Sequence, residues 1–322
     1  MRVFVCEFVT GGGLRDAALP ASLAREAALI RDAMRRDLTA LPQVGEILLA
    51  ADDRLPLLPP LPGAVPVAAG ADAWAIWRTL AERADVVWPV APETDGVLAR
   101  LVEMLRECCP RVLSCGPQAI AAATSKLQTA HRLAAFGLPH IPTFPLAQAP
   151  DLPGPRITKP DDGAGCEDTQ FWPPGVPATP ACRDGLVIQP FVAGAAASLT
   201  VLAGPEGVRL LAVNRQHIRV ENGRVVLAGL SVGALEDADG RLAALARDVV
   251  RAFPGLEGIF GIDILLSEAG PVVVEVNPRL TTAYAGLGPA LGLNPATLLP
   301  PFADRGAALG TGARGPVELA LA

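Results

Sequence analysis

Apolar residues in the first 115 positions follow two alternating rhythms. Short apolar runs at Arg2–Phe8, Glu46–Ala51, Asp85–Val90 and Arg111–Cys115 have the length and content of buried strands. Between and after them, helical patterns cover Ser22–Asp37, Ala71–Arg83, Thr94–Cys108 and Pro117–Ala123. The Pro-rich stretch Leu55–Pro66 is a loop. Strands alternating with helices at this spacing predict an open, mostly parallel α/β sheet with helices on both faces.

The texture changes after Thr124. A helix over Lys126–Phe136 is stopped by Gly137, Pro139 and Pro142. Short strands and turns then dominate at Arg156–Lys159, Gly185–Phe191, Ser198–Ala203, Arg209–Asn214 and Arg224–Leu227, with a helix at Asp239–Ala252. This α+β character sets a domain boundary near residue 116, with one domain over 1–115 and another over 116–322.

Phe260–Ser267 and Pro271–Val276 read as a hairpin around Glu268-Ala269-Gly270. Setting Ser267 opposite Pro271 places Asp263 across from Glu275 and Gly261 across from Asn277. Side chains alternate along a strand, so Asp263, Glu275 and Asn277 share one face. Ile262, Ile264, Leu266, Val272, Val274 and Val276 take the other, as core. Facing acids repel unless a cation offsets them, and an all-oxygen set suits Mg²⁺ completed by substrate phosphates.

Charge and composition narrow the function. The net charge is −6 with no basic run, which argues against nucleic acid as a partner. No uncharged apolar stretch reaches the roughly 18 residues of a membrane span. Glu7 interrupts the first apolar run, so no secretory signal is expected. The six cysteines form no C-x-x-C pair and read as reduced thiols in a cytoplasmic protein.

Of 27 basic residues only Lys126 and Lys159 are lysine. Lysine is a compact point charge where arginine is a broad planar fork, so a crowded polyphosphate can require the first. Lys159 opens Lys-Pro-Asp-Asp-Gly-Ala-Gly165, whose Gly163 and Gly165 let backbone N–H groups approach phosphate oxygens. Gln189, in Gln-Pro-Phe-Val192, offers the donors and acceptors an adenine needs.

In order, Ser125-Lys126, Ile157-Thr-Lys159-Pro with its glycine loop, Gln189-Pro-Phe-Val-Ala-Gly194, Asp263 and Glu275-Val-Asn277-Pro-Arg279 resemble the ATP-grasp superfamily over about 115–295. The preceding segment looks like that family's N-terminal α/β domain. The resemblance implies a two-lobed ATP-grasp domain, with a small lobe at about 125–193 and a C-terminal lobe at about 194–322. It implies that Lys126 and Lys159 contact ATP. Gly163 and Gly165 would lie in a closing loop, and Gln189 with the backbone of Pro190, Phe191 and Val192 would hold adenine. Asp263, Glu275 and Asn277 would bind Mg²⁺, one ion or two, or Mn²⁺ in its place. Arg279 and Lys159 would act on the transferred phosphate. Ala196 stands where many members carry a ribose-binding acid.

Val5-Cys-Glu-Phe-Val-Thr-Gly-Gly-Gly-Leu14, Ala91-Pro-Glu-Thr-Asp95 and Asn277-Pro-Arg-Leu-Thr-Thr-Ala-Tyr284 resemble the tyramine–L-glutamate ligase group of methanofuran and methylofuran biosynthesis. This implies an ADP-forming ligase that joins small-molecule carboxylate and amine substrates, glutamate and an aromatic amine, through an acyl phosphate. Another peptide-like bond, or a non-catalytic nucleotide-binding module, are the competing readings, and a homodimer is left open. Thr10–Gly13 either holds the acceptor or is a tight turn. Thr281, Thr282 and Tyr284 either line the acceptor pocket or cap and pack a helix. Arg215 is either a solvated strand-end charge, the favoured reading, or a phosphate contact.

Overall fold

Val3, Phe4, Val5 and Cys6 are all buried, so β1 (Arg2–Glu7) is covered on both faces, as a central parallel strand must be. In the computed structural model β1 pairs in parallel with β2 (Glu46–Asp52), and β3 (Val65–Val67) extends the sheet beyond β2. On the other side of β1 lies β4 (Val86–Val90), which gives the order β3-β2-β1-β4. Helices α1 (Ala21–Thr39), α2 (Ala73–Arg83) and α3 (Val97–Cys108) accompany this sheet. The structure describes residues 1–55, 57, 60–163, 165–166, 168–180, 184–303 and 315–321. Cys182 and part of the Leu55–Pro66 loop lie outside the described residues.

Two expectations for this region need correction. Arg111–Cys115 is not a strand: it makes the single parallel bridge Val87–Val112. Val87 N–H donates to Arg111 O and Val87 O accepts from Leu113 N–H. The next donor on that edge would be Pro89, which has no N–H, so the ladder stops. The helix expected from Thr94 starts at Val97, because Asp95 adopts a left-handed φ of 55°.

The second region begins with α4 (Pro117–Thr124) and α5 (Lys126–Ala135). Its strands are β5 (Phe144–Pro145), β6 (Arg156–Pro160), β7 (Gln170–Trp172), β8 (Leu186–Pro190), β9 (Ala195–Gly204), β10 (Gly207–Glu221) and β11 (Arg224–Leu235). After α6 (Arg241–Ala252) come β12 (Gly258–Ser267) and β13 (Gly270–Asn277). The chain closes with α7 (Tyr284–Leu291) and β14 (Val317–Ala320). The strands of this region form one sheet ordered β13-β12-β9-β10-β11-β7-β6-β8-β5, with β14 antiparallel to β11. Its two halves join through one paired position, Arg224 opposite Gln170. β9, β10 and β11 run longer than the apolar pattern predicted: the extension of β10 beyond Asn214 is largely exposed, whereas that of β11 includes buried Leu230 and Val232.

Met1–Pro92, Val97–Ser114 and Arg279–Gly315 cluster as one unit, and Glu93–Gly96, Cys115–Pro278 and Pro316–Ala322 as the other. Residues after Arg279 therefore do not simply continue the domain expected over 116–322. In the first unit Tyr284 of α7 packs edge-on against Trp88 of β4, with ring centroids 5.5 Å apart. Asn294 Nδ2 donates to Asp37 O at the end of α1. Among the described residues no helix is long and apolar enough to cross a membrane. The five described cysteines are free thiols.

Candidate functional site

β12 and β13 place Asp263 opposite Glu275 and Gly261 opposite Asn277. The route to that register differs from the one expected. Ser267 pairs with Gly270, not Pro271, across the two-residue turn Glu268-Ala269, and Gly270 enters β13 with φ +118°. Ile264 then pairs with Val273, so Val274 is an extra residue on β13. This β-bulge resets the alternation before Glu275. It also corrects the expected core face: Val273 and Val276 are buried, while Val272 and Val274 are half-buried.

Two buried cations meet the hairpin. Lys126 Nζ lies 3.4 Å and Lys159 Nζ 4.0 Å from Glu275 Oε2. Each lysine is only 6% exposed, so neither is a solvated surface charge. Lys126 is the first residue of α5, where the helix dipole disfavours a positive charge. Local acceptors compensate: Lys126 Nζ donates to Gly163 O at 2.6 Å, and Asp161 Oδ1 accepts from Leu127 N–H at 2.8 Å. Lys159 sits on β6 beside the same loop. Burial, followed by the proximity of Lys126, holds its pKa below the usual lysine value.

Both oxygens of Asp263 accept amide donors, Oδ1 from Gln216 Nε2 at 3.0 Å and Oδ2 from Asn277 Nδ2 at 3.2 Å. Burial, then the Glu275 charge, pushes the Asp263 carboxyl up to about 8. Burial would raise Glu275 as well, but Lys126 and Lys159 hold it down at about 2. The pair therefore keeps one proton, on the carboxyl farther from the lysines. A hard cation would replace that proton. Among the described residues no three His, Cys, Asp or Glu converge on a metal position. Two carboxylates and one amide suit a cation that takes its remaining ligands from phosphate and water.

The other site residues are less open than expected. Gly163 packs so closely that a Cβ there would meet Pro160 Cβ at 3.0 Å, and Gly165 has φ +64°. Gln189 is buried, and its Nε2 donates to Thr143 Oγ1 at 2.8 Å. Phe191 N–H donates to Pro155 O, Pro190 pairs with Arg156, and the Phe191 ring stacks edge-on with Phe171. Two of the donors expected to face adenine thus already have protein acceptors. Val192 follows them directly and is half-buried. Ala196 pairs with Leu265 on β12.

Arg279 belongs to the first unit, where its Nη1 donates to Leu280 O and its charge lowers the burial-raised pKa of Glu26. Thr282 Oγ1 donates to Glu26 Oε2 at 2.9 Å. Tyr284 is 1% exposed, which places it in the core. Thr10–Gly13 is a turn packed against its surroundings. Trp77 Nε1 donates to Gly11 O, and a Cβ on Gly12 would lie 2.5 Å from Val67 Cγ1. Arg215 is exposed.

The sequence reading missed Thr143, Asn214 and Gln216. Asn214 Nδ2 donates to Ser198 Oγ and Thr200 Oγ1, and its Oδ1 accepts from Gly233 N–H. Period-two alternation from Asn214 would have put Gln216 on the Asp263 face.

An ATP-grasp domain profile matches residues 123–283, and a pre-ATP-grasp domain profile matches 45–120. A tyramine–L-glutamate ligase of Methanocaldococcus jannaschii is 27% identical over 207 residues, which span 64% of this chain and 59% of that protein. A D-alanine–D-alanine ligase of Mycolicibacterium smegmatis is 32% identical over 267 residues, or 71% of this chain and 70% of that one. The crystal structure of an ATP-grasp superfamily protein from Archaeoglobus fulgidus superposes with a TM-score of 0.71 at 24% identity, covering 93% of this chain and 87% of that chain. With half its length matched by the domain profile and this fold around the paired lysines, the chain belongs to the ATP-grasp superfamily.

Proposed function

We propose that the protein is an ATP-dependent carboxylate–amine ligase that joins glutamate to tyramine or a similar aromatic amine, in methylofuran-type cofactor biosynthesis. The convergence of Lys126 and Lys159 on Glu275, beside Asp263 and Asn277, supports the ATP-dependent part of this reading, and the 27% identical tyramine–L-glutamate ligase supports the choice of substrates. Lys126 and Lys159 present ammonium groups to phosphate oxygens, and Asp263, Glu275 and Asn277 hold Mg²⁺ or Mn²⁺. The bound cation supplies charge neutralisation on the phosphates. The γ-phosphate passes to a carboxylate oxygen of the acid as its bond to the β-phosphate oxygen breaks and ADP leaves. The amine then attacks the acyl carbon, the carbon–oxygen bond to phosphate breaks, and phosphate leaves as the amine loses a proton. Catalysis is positioning and electrostatics rather than side-chain nucleophilicity. The reading places the enzyme in the cytoplasm, without nucleic-acid or membrane partners.

ADP release measured with single-substrate omission tests it. Release should need both glutamate and an aromatic amine, and Glu275→Gln should abolish it in a folded protein. Release with another acid in place of glutamate would remove the specific substrates and leave the ligase class. The D-alanine–D-alanine ligase relative favours a second reading, a bond between two amino acids. ADP release with D-alanine alone would select it. Ala196 at the ribose position motivates a third, a nucleotide-binding module, which predicts stabilisation by ATP without phosphate release.

A further inference from the structure

Gln216 reaches Asp263 across an intervening strand. β9 lies between β10 and β12, with Arg215 opposite Ala197 and Ser198 opposite Asp263. Adjacent strands are about 4.8 Å apart, so β10 and β12 are separated by roughly 10 Å, which the Gln216 and Asp263 side chains close together with their hydrogen bond. Only a long side chain can do this, and only over small neighbours. Ala196 and Ser198, on the same face of β9, supply that low floor. Gln216 Nε2 holds Asp263 Oδ1 at 3.0 Å while Asn277 Nδ2 holds Oδ2 at 3.2 Å, which fixes the plane of the carboxylate. Neutral amide donors do this without adding charge beside the Asp263–Glu275 pair.

We infer that Gln216 is a positioning residue, which orients Asp263 for the divalent cation and so sets cation affinity. This rests on the proposed cation site of the ligase. Removing such a supporting hydrogen bond typically weakens metal affinity about 10–100-fold. Gln216→Met keeps the length and removes the donor. Gln216→Asn keeps the amide but is one methylene too short to span β9, and it carries the same test if the Met variant does not fold.

The test is direct Mn²⁺ binding, followed by electron paramagnetic resonance with a non-hydrolysable ATP analogue, on wild type, Gln216→Met, Gln216→Asn and Asp263→Asn. The Gln216 variants should bind Mn²⁺ at least tenfold more weakly. The Mg²⁺ concentration for half-maximal ADP release should rise in parallel. Melting temperature and KM for ATP at saturating Mg²⁺ should stay as in wild type. Wild-type Mn²⁺ affinity in both Gln216 variants, with loss in Asp263→Asn, would overturn the role of Gln216 and leave the cation site standing. Wild-type affinity in Asp263→Asn as well would overturn the site itself.

Discussion

Lys126 Nζ stands 3.4 Å from Glu275 Oε2 and 2.6 Å from the carbonyl oxygen of Gly163, so one ammonium ties the acidic hairpin to the glycine loop. The side chains of Lys126 and Glu275 are 7% and 20% exposed, which leaves little solvent to screen the pair. Breaking a buried pair from one side typically costs about 3–5 kcal/mol, and Lys159 still faces Glu275, so roughly 2–3 kcal/mol is expected here. Lys126→Met should lower the melting temperature without nucleotide and raise KM for ATP at least tenfold. An unchanged melting temperature together with an unchanged KM would show that the tether has no part in either state.

Lys159→Arg tests charge shape. Lys159 ends in a pocket where it is 6% exposed and 4.0 Å from Glu275. A guanidinium keeps the charge but needs space for a planar fork and five N–H donors. The variant should lose at least tenfold in kcat/KM for ATP while its far-UV spectrum is unchanged. Wild-type turnover would mean that charge alone suffices and that lysine's compactness is irrelevant.

Much of this was legible in the chain, for identifiable reasons. Apolar runs separated by helical spacing exposed the parallel sheet, because strands such as β1 are buried on both faces. The Asp263–Glu275 pairing was also legible, although two register differences cancel in it. The turn is one residue tighter than expected, and the bulge at Val274 restores the offset. Neither shows in Val272-Val-Val-Glu-Val276, because consecutive valines carry no mark of which one is extra. Gln189 was read toward adenine because its partner, Thr143, lies 46 residues away in sequence. Gln216 went unnoticed beside the more conspicuous Arg215. The return of Arg279–Gly315 to the first unit depends on long-range packing such as Tyr284 on Trp88, which no local pattern encodes.

The Thr10–Gly13 turn offers a clean separation of packing from binding. Gly12 has φ +94°, and a Cβ there would sit 2.5 Å from Val67 Cγ1; a Cβ on Gly13 would sit 2.5 Å from Phe8 Cζ. Gly12→Ala combines backbone strain with overpacking and should cost roughly 2–3 kcal/mol. A lowered melting temperature with unchanged KM for acid and amine is the expected result. A raised KM at unchanged melting temperature would instead make the turn a substrate-binding loop.

The proton shared by Asp263 and Glu275 makes stability fall as pH rises, a dependence that a bound cation removes by displacing that proton. Burial and Glu275 hold the folded-state pKa of Asp263 at about 8, well above the ~3.9 of an unfolded aspartate. Between these values the folded protein keeps a proton that the unfolded chain has released, so stability falls as pH rises from roughly 4 through 8. Glu275, held at about 2, contributes in the opposite sense, and its share is lost only as pH drops below about 4. Glu7, Glu26 and Asp37 are also raised by burial, so the comparison must be made against a variant of the pair. In EDTA, wild type should lose melting temperature relative to Asp263→Asn as pH rises from 5 to 8. Asp263→Asn should be the more stable protein at pH 8, because it relieves the facing charges. With saturating Mg²⁺ and ATP the order should invert, since the cation must displace the Asp263 proton and binds more tightly as pH rises toward 8. A wild-type minus Asp263→Asn difference that does not change with pH in EDTA would show that the two carboxyls do not share a proton. The cation would then have no proton to displace, and its binding should show no pH dependence from this pair.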